Sequence, residues 1–131
     1  MRVLVIGGSG AAGSCVVAEA VRRGHDVVAA ARSPRPGVGP ARIVRLDVTD
    51  TAAVVAAAQG VDVIVGATRP APGGEGAVVE MTISLAEAAA RADARLVVIG
   101  GAAPLRVPGT RRRAMDDPRW VPAEFRRIAE A

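Results

Sequence analysis

Tyrosine and lysine are absent from this chain of 131 residues, and its aromatic side chains are limited to Trp120 and Phe125. Every basic residue apart from His25 is therefore an arginine. Any proton relay that needs a phenol or a titratable ammonium is excluded. Cys15 is the single cysteine. It rules out an internal disulfide and suits a reducing compartment. With one thiol and one histidine there is no cluster of the kind that holds a metal. No apolar run approaches the roughly 18 residues needed to cross a bilayer. The opening run Val3–Ile6 is too short for a signal-peptide core and leads straight into glycines, so a cytoplasmic location with no membrane partner is expected.

Half of the composition is hydrophobic, mostly Ala and Val, and 23% is charged. Small aliphatic side chains pack in thin layers, as helices lying close on a parallel sheet require. The length implies one domain over 1–131, small for an enzyme with separate cofactor and substrate lobes. The net charge is +4, and the arginines are scattered along the chain apart from Arg111, Arg112 and Arg113. A scatter of this kind describes a solvated surface rather than a nucleic-acid footprint. The triplet reads as a solvated loop or as a contact for an anionic ligand.

Five short apolar runs recur, Val3–Ile6, Val27–Ala31, Ile43–Val48, Val61–Val65 and Leu96–Ile99. Continuous rather than alternating apolar runs mark strands buried on both faces. Helical spacing fills most of the intervals. A first helix is expected over about 12–23, with Val16, Val17, Ala20 and Val21 inward and Gly24 as its stop. A second is expected from Asp50 to Gly60, capped by Asp50 or Thr49. A third is expected over about 76–92, with Val78, Met81, Leu85, Ala88 and Ala92 on one face. Ser33–Ala41 contains three prolines and two glycines and reads as an irregular loop. The alternation predicts a Rossmann-type, doubly wound parallel α/β sheet with right-handed crossovers and strand order 3-2-1-4-5. From residue 103 onward a proline-rich loop leads to an incomplete helix near Pro122, with Phe125, Ile128 and Ala129 on one face.

The strongest motif is Gly7-Gly8-Ser9-Gly10-Ala11-Ala12-Gly13, between the first strand and the first helix. Gly8, Gly10 and Gly13 satisfy G-x-G-x-x-G, and Gly7, Gly10 and Gly13 satisfy G-x-x-G-x-x-G. Glycine at these places lets the backbone turn tightly, approach a phosphate and pack the helix on the strand. The helix N-terminus then offers free amides to a pyrophosphate. Its setting, after a strand and before a helix, is what makes the pattern specific to dinucleotide binding.

The end of the second strand chooses between dinucleotides. NAD-specific domains place a carboxylate there for the ribose hydroxyls. This chain has Ala30-Ala31-Arg32-Ser33-Pro34-Arg35, with no carboxylate, and Asp26 lies at the other end of the strand. Arg32, helped by Ser33 and Arg35, suits an adenosine 2′-phosphate and favours NADP(H) over NAD(H). Asp47, followed by Val48, reads either as an acceptor for the adenine amine or as a cap on the next helix. Gly66-Ala67-Thr68 offers small residues beneath a ribose and nicotinamide, and Gly100-Gly101-Ala102 does the same after the fifth strand.

These pieces together (the Met-Arg-Val-Leu-Val-Ile-Gly-Gly-Ser-Gly opening, Arg32, Leu46-Asp47-Val48, Val98-Ile99-Gly100-Gly101-Ala102 and Asp117-Pro118-Arg119-Trp120-Val121-Pro122) resemble the atypical short-chain dehydrogenase/reductases. The subgroup is the NmrA-like and flavin-reductase-like NAD(P)H-binding proteins. Members of that subgroup are longer, so the resemblance implies that the C-terminal part is missing here. It also implies an NADPH-dependent oxidoreductase acting on a small organic acceptor such as a flavin, quinone or carbonyl compound. Standard members use Tyr-x-x-x-Lys and a serine after strand five. This chain has neither Tyr nor Lys, and Gly101 or Ala102 takes the serine position. Hydride transfer to a flavin or quinone needs no such acid. A non-catalytic, NmrA-like redox sensor is the alternative that the missing residues suggest, and a nucleotide-sugar epimerase-like relative is a third. Thr68, Arg69, Asp116 and Asp117 are the remaining polar candidates, each better read as structural or solvated, and no catalytic residue is assigned. His25 falls at the end of the sheet away from the cofactor. An exposed sheet edge makes a homodimer a possible partner state.

Overall fold

The chain is described here from a computed structural model covering residues 1–35, 41–71 and 73–121. The apolar runs become five strands: β1 (Arg2–Ile6), β2 (Asp26–Ala31), β3 (Arg42–Arg45), β4 (Val63–Gly66) and β5 (Arg95–Val98). All neighbours run parallel, in the order β3-β2-β1-β4-β5. The expected sheet order is thus the observed one. The order reverses direction beside β1, and in open sheets of this kind ligands bind outside the strand carboxyl ends at that point.

Three helices connect the strands: α1 (Ala11–Arg22), α2 (Thr51–Ala57) and α3 (Val78–Ala92). Val3, Val5, Val27, Ala29 and Val65 cluster with Val17 and Ala20 of α1, so α1 covers that face of the sheet. Leu4, Ile6, Ala30 and Ile64 alternate to the opposite face and are fully buried. There a Cβ added to Gly66 would lie 2.7 Å from Leu85 Cδ1, which places α3 on this second face. The hydroxyls of Thr51 and Ser84 meet at 2.6 Å, tying α2 to α3. Ser84 is fully buried, so the polar contact replaces water that the core excludes.

Several boundaries differ from those the sequence predicts. β3 ends at Arg45 rather than Val48, because Leu46 N–H makes the last bond to β2, on Ala31 O, and the chain then turns. β4 is shifted to end at Gly66. α2 is shorter, Thr51–Ala57, with Asp50 as its cap: Asp50 Oδ1 accepts from Ala53 N–H at 3.0 Å. α3 starts at Val78, after a single 3₁₀ turn at Glu75–Ala77. Its inward face includes Ser84 and Ala89 beside Met81, Leu85 and Ala88. β5 is not buried on both faces, since Val97 and Val98 are 44% and 49% exposed.

By contacts the chain divides into two compact units, Met1–Arg69 with Glu80–Ile99, and Pro70–Val79 with the segment from Gly100 on. The first is the sheet with its helices. In the second, the proline-rich loop expected from residue 103 carries local order. Arg106 and Arg113 form an antiparallel bridge, closed by a turn in which Thr110 N–H donates to Val107 O and Gly109 has φ +76°. A 3₁₀ turn follows at Ala114–Asp116, with Met115 buried. The helix expected near Pro122, and the face of Phe125, Ile128 and Ala129, lie outside the described residues, as do residues 36–40 of the proline-rich loop.

Candidate functional site

The turn between β1 and α1 is shaped by where its backbone groups are spent. Gly7 and Gly8 N–H both donate to Ala30 O, at 2.8 and 3.0 Å, pinning the turn to the end of β2. Gly10 N–H donates to Gly7 O at 2.9 Å, and Ser14 N–H to Gly10 O at 2.9 Å. The amides of Ala11, Ala12 and Gly13 fall between, in the first turn of α1, where no intrahelical acceptor exists. Gly10 is the helix cap and has no side chain to satisfy them, and the first turn carries no acidic residue. Ala11 and Ala12 are exposed. Free amides at the positive end of a helix of 12 residues attract an anion.

The glycines are required sterically. Gly7 has φ +90°, and a Cβ there would collide with Ala67 O. A Cβ on Gly13 would collide with Gly7 O, so only glycine lets α1 start directly against the turn. A Cβ on Gly8 would come 2.9 Å from Ala29 Cβ. Ala67 N–H in turn donates to Ile6 O at 2.8 Å, which brings the end of β4 against the glycine turn.

The residues following β2 come to the same edge. Arg32, Ser33, Pro34 and Arg35 are exposed, and Arg35 N–H donates to Ser9 Oγ at 3.2 Å. Among the described residues, neither Arg32 nor Arg35 forms an ion pair. Asp47 is exposed, and its Oδ1 accepts from Thr49 N–H at 3.1 Å and from Thr49 Oγ1 at 2.9 Å. Those bonds, with a smaller contribution from the charge of Arg32, hold its carboxyl below the ordinary aspartate range. The capping alternative for Asp47 is thereby corrected: Asp50 caps α2, while Asp47 closes a local turn before it, because the chain bends three residues earlier than the helix begins.

Thr68 is half-buried at the end of β4. Val48 is 6% exposed, and Gly66 is buried where Leu85 closes over it. The sheet unit therefore gathers residues 7–13, Arg32, Ser33, Arg35, Asp47, Val48, Gly66, Ala67 and Thr68, with Gly8, Gly13, Val48 and Gly66 buried, while Gly100, Gly101 and Ala102 fall in the second unit. Sequence reasoning missed the contacts of Ser9 with Arg35 and of Gly7 with Ala67, which join residues too far apart in the chain for any local pattern to reveal.

Other polar features lie elsewhere. A depression lined by Arg2, Asp26, Val28 and Arg42 sits where β1 and β2 begin, at the end of the sheet opposite the glycine turn. In the second unit Asp117 is gripped by Arg119, whose Nη2 donates to Oδ2 at 2.7 Å, and its acidity is correspondingly raised. Asp116 pairs with Arg113 at 3.1 Å. Both aspartates are thus ion-paired. Among the described residues no helix is long and apolar enough to cross a membrane.

The comparisons with known proteins agree with this geometry. The family described as NAD(P)H-binding matches residues 7–131. No curated protein sequence matches the chain. Among solved structures, a Burkholderia pseudomallei protein described as a candidate exported protein is 32% identical, with a TM-score of 0.80, over 99% of this chain and 61% of its own. A Streptococcus pneumoniae protein described as a candidate NADH-flavin reductase is 29% identical, with a TM-score of 0.84, over the same shares of 99% and 61%. Uronate dehydrogenase from Agrobacterium tumefaciens, complexed with NAD, is 26% identical, with a TM-score of 0.67, over 79% of this chain and 42% of its own. The chain thus spans about 61% of the length of the first two. A family match over nearly the whole chain, a sheet of the expected order and a glycine turn with free helical amides lead to one assignment: this protein belongs to the NAD(P)H-binding family.

Proposed function

We propose that the chain binds NADP(H) in preference to NAD(H) and serves an oxidoreductase that passes hydride to a small organic acceptor, a flavin, quinone or carbonyl compound. The observation that carries this reading is the pairing of the glycine turn with Arg32, which stands exposed at the end of β2 and, among the described residues, forms no ion pair. Gly7, Gly8, Ser9, Gly10, Ala11, Ala12 and Gly13 would hold the pyrophosphate on the free amides of α1. Arg32, with Ser33 and Arg35 beside it, would hold the 2′-phosphate. Asp47, already fixed by Thr49, has its second carboxylate oxygen left to accept from the adenine amine, with Val48 behind it. Gly66, Ala67 and Thr68 would floor the ribose and nicotinamide.

The bound dinucleotide would supply the hydride; the chain's part is to orient it and exclude water. The absence of Tyr and Lys favours acceptors that need no protein acid, and the likeness to a protein described as a candidate NADH-flavin reductase points the same way. A single cysteine suits the cytoplasm. The same absence supports a second reading, a non-catalytic sensor of the dinucleotide redox state. It weighs against an epimerase-like reaction.

Calorimetric titration with NADPH and NADH, on the chain and on Arg32→Ala, tests the cofactor assignment. Loss of a charge-assisted contact is expected to weaken NADPH binding about 10- to 100-fold and to leave NADH unchanged. Equal affinity for both cofactors in the unaltered chain sinks the NADP(H) preference. NADPH consumption with a flavin, quinone or aldehyde separates the enzyme from the sensor.

A further inference from the structure

Ser9 ties the segment that follows β2 to the glycine turn. Its Oγ accepts the Arg35 backbone N–H at 3.2 Å, 26 residues along the chain. Among the described residues this is the one hydrogen bond that ties residues 32–35 to anything else. Arg32, Ser33, Pro34 and Arg35 are all exposed, so burial does not fix them either. A serine hydroxyl has one proton to donate and lone pairs to spare. Accepting from Arg35 uses a lone pair and leaves the proton available to an anionic oxygen at the glycine turn.

Resting on the NADP(H) reading above, we propose that Ser9 is a positioning residue for cofactor selectivity. It holds the Arg32–Arg35 segment in the place from which the guanidinium meets the 2′-phosphate, and an anion on the turn strengthens that hold through the same hydroxyl. The cofactor's pyrophosphate and 2′-phosphate contacts are then coupled. A serine that only lined the pyrophosphate would affect NADPH and NADH alike, whereas one that positions Arg32 affects NADPH more.

The test combines calorimetric Kd values for NADPH and NADH with hydrogen exchange at the Arg35 amide, on the unaltered chain, Arg32→Ala, Ser9→Ala and Ser9→Thr. Ser9→Ala is expected to cut the NADPH-over-NADH preference about fivefold and to speed Arg35 exchange by a similar factor. Ser9→Thr, which keeps the acceptor oxygen, is expected to retain both. Equal weakening of the two cofactors, unchanged Arg35 exchange, or a threonine variant that behaves like alanine overturns the proposal while Arg32→Ala still reports on the cofactor assignment. No preference in the unaltered chain, with Arg32→Ala silent, removes that assignment and this inference with it.

Discussion

Gly13 shows how much one missing Cβ decides. The atom would collide with Gly7 O, and neither partner can retreat, because Gly7 is itself pinned through its N–H to Ala30 O. Gly13→Ala must push α1 off the turn or unwind its first residues. Overpacking of this kind costs about 3 kcal/mol, to be read from the midpoint of denaturant unfolding, and it should abolish dinucleotide binding even where the chain still folds. A variant with unaltered stability would mean that the turn relaxes more than its pinning allows. Gly10→Ala is a useful contrast, since its Cβ would stand 3.2 Å from Gly7 O, a smaller intrusion. The need for glycine at these positions was legible in the sequence. Which atom each glycine avoids was not, since the carbonyls belong to other parts of the turn and, for Gly7, to the end of β4.

Between elements, the hydroxyl pair of Thr51 and Ser84 is the clearest long-range contact. It joins α2 to α3 across 33 residues at a position from which water is excluded. Ser84→Ala leaves the Thr51 hydroxyl short of a partner, and a stability loss of about 1–2 kcal/mol is expected. The double variant with Thr51→Val should lose less than the sum of the two single variants, as a direct interaction requires. An additive double variant would mean that the hydroxyls act independently. The helical period of α3 foretold Met81, Leu85 and Ala88 on the inner face. It gave no reason to place Ser84 there, because a serine reads as surface until a partner hydroxyl is known. For similar reasons the β3 boundary was misjudged: Leu46 and Val48 are buried, as their apolar character suggested, but in a turn rather than a strand.

The whole molecule exposes its fifth strand. Val97, Val98 and Ile99 are 44%, 49% and 42% exposed, and β5 pairs only with β4 among the described residues. An unpaired edge with apolar side chains is a template for further pairing. The chain is expected to self-associate at micromolar concentration in sedimentation velocity, and Val97→Lys should shift it toward monomer. Monomer in the unaltered chain would show that this edge does not drive association. β3, the opposite edge, carries Arg42 and Arg45, charges that discourage such pairing.

The strands, the helices and the glycine turn were fixed locally, by apolar runs too short for helices, by the helical period between them and by residues that only one backbone conformation tolerates, and their alternation with right-handed crossovers implied the parallel order. The same local logic gave the lack of a carboxylate after β2. The tertiary structure alone decided that Ser9 holds Arg35, that Gly66 lies under Leu85 and that β5 stands exposed. Each of these depends on which atoms meet after the chain has folded, and no period or propensity within a segment encodes a contact with a segment it has not yet met.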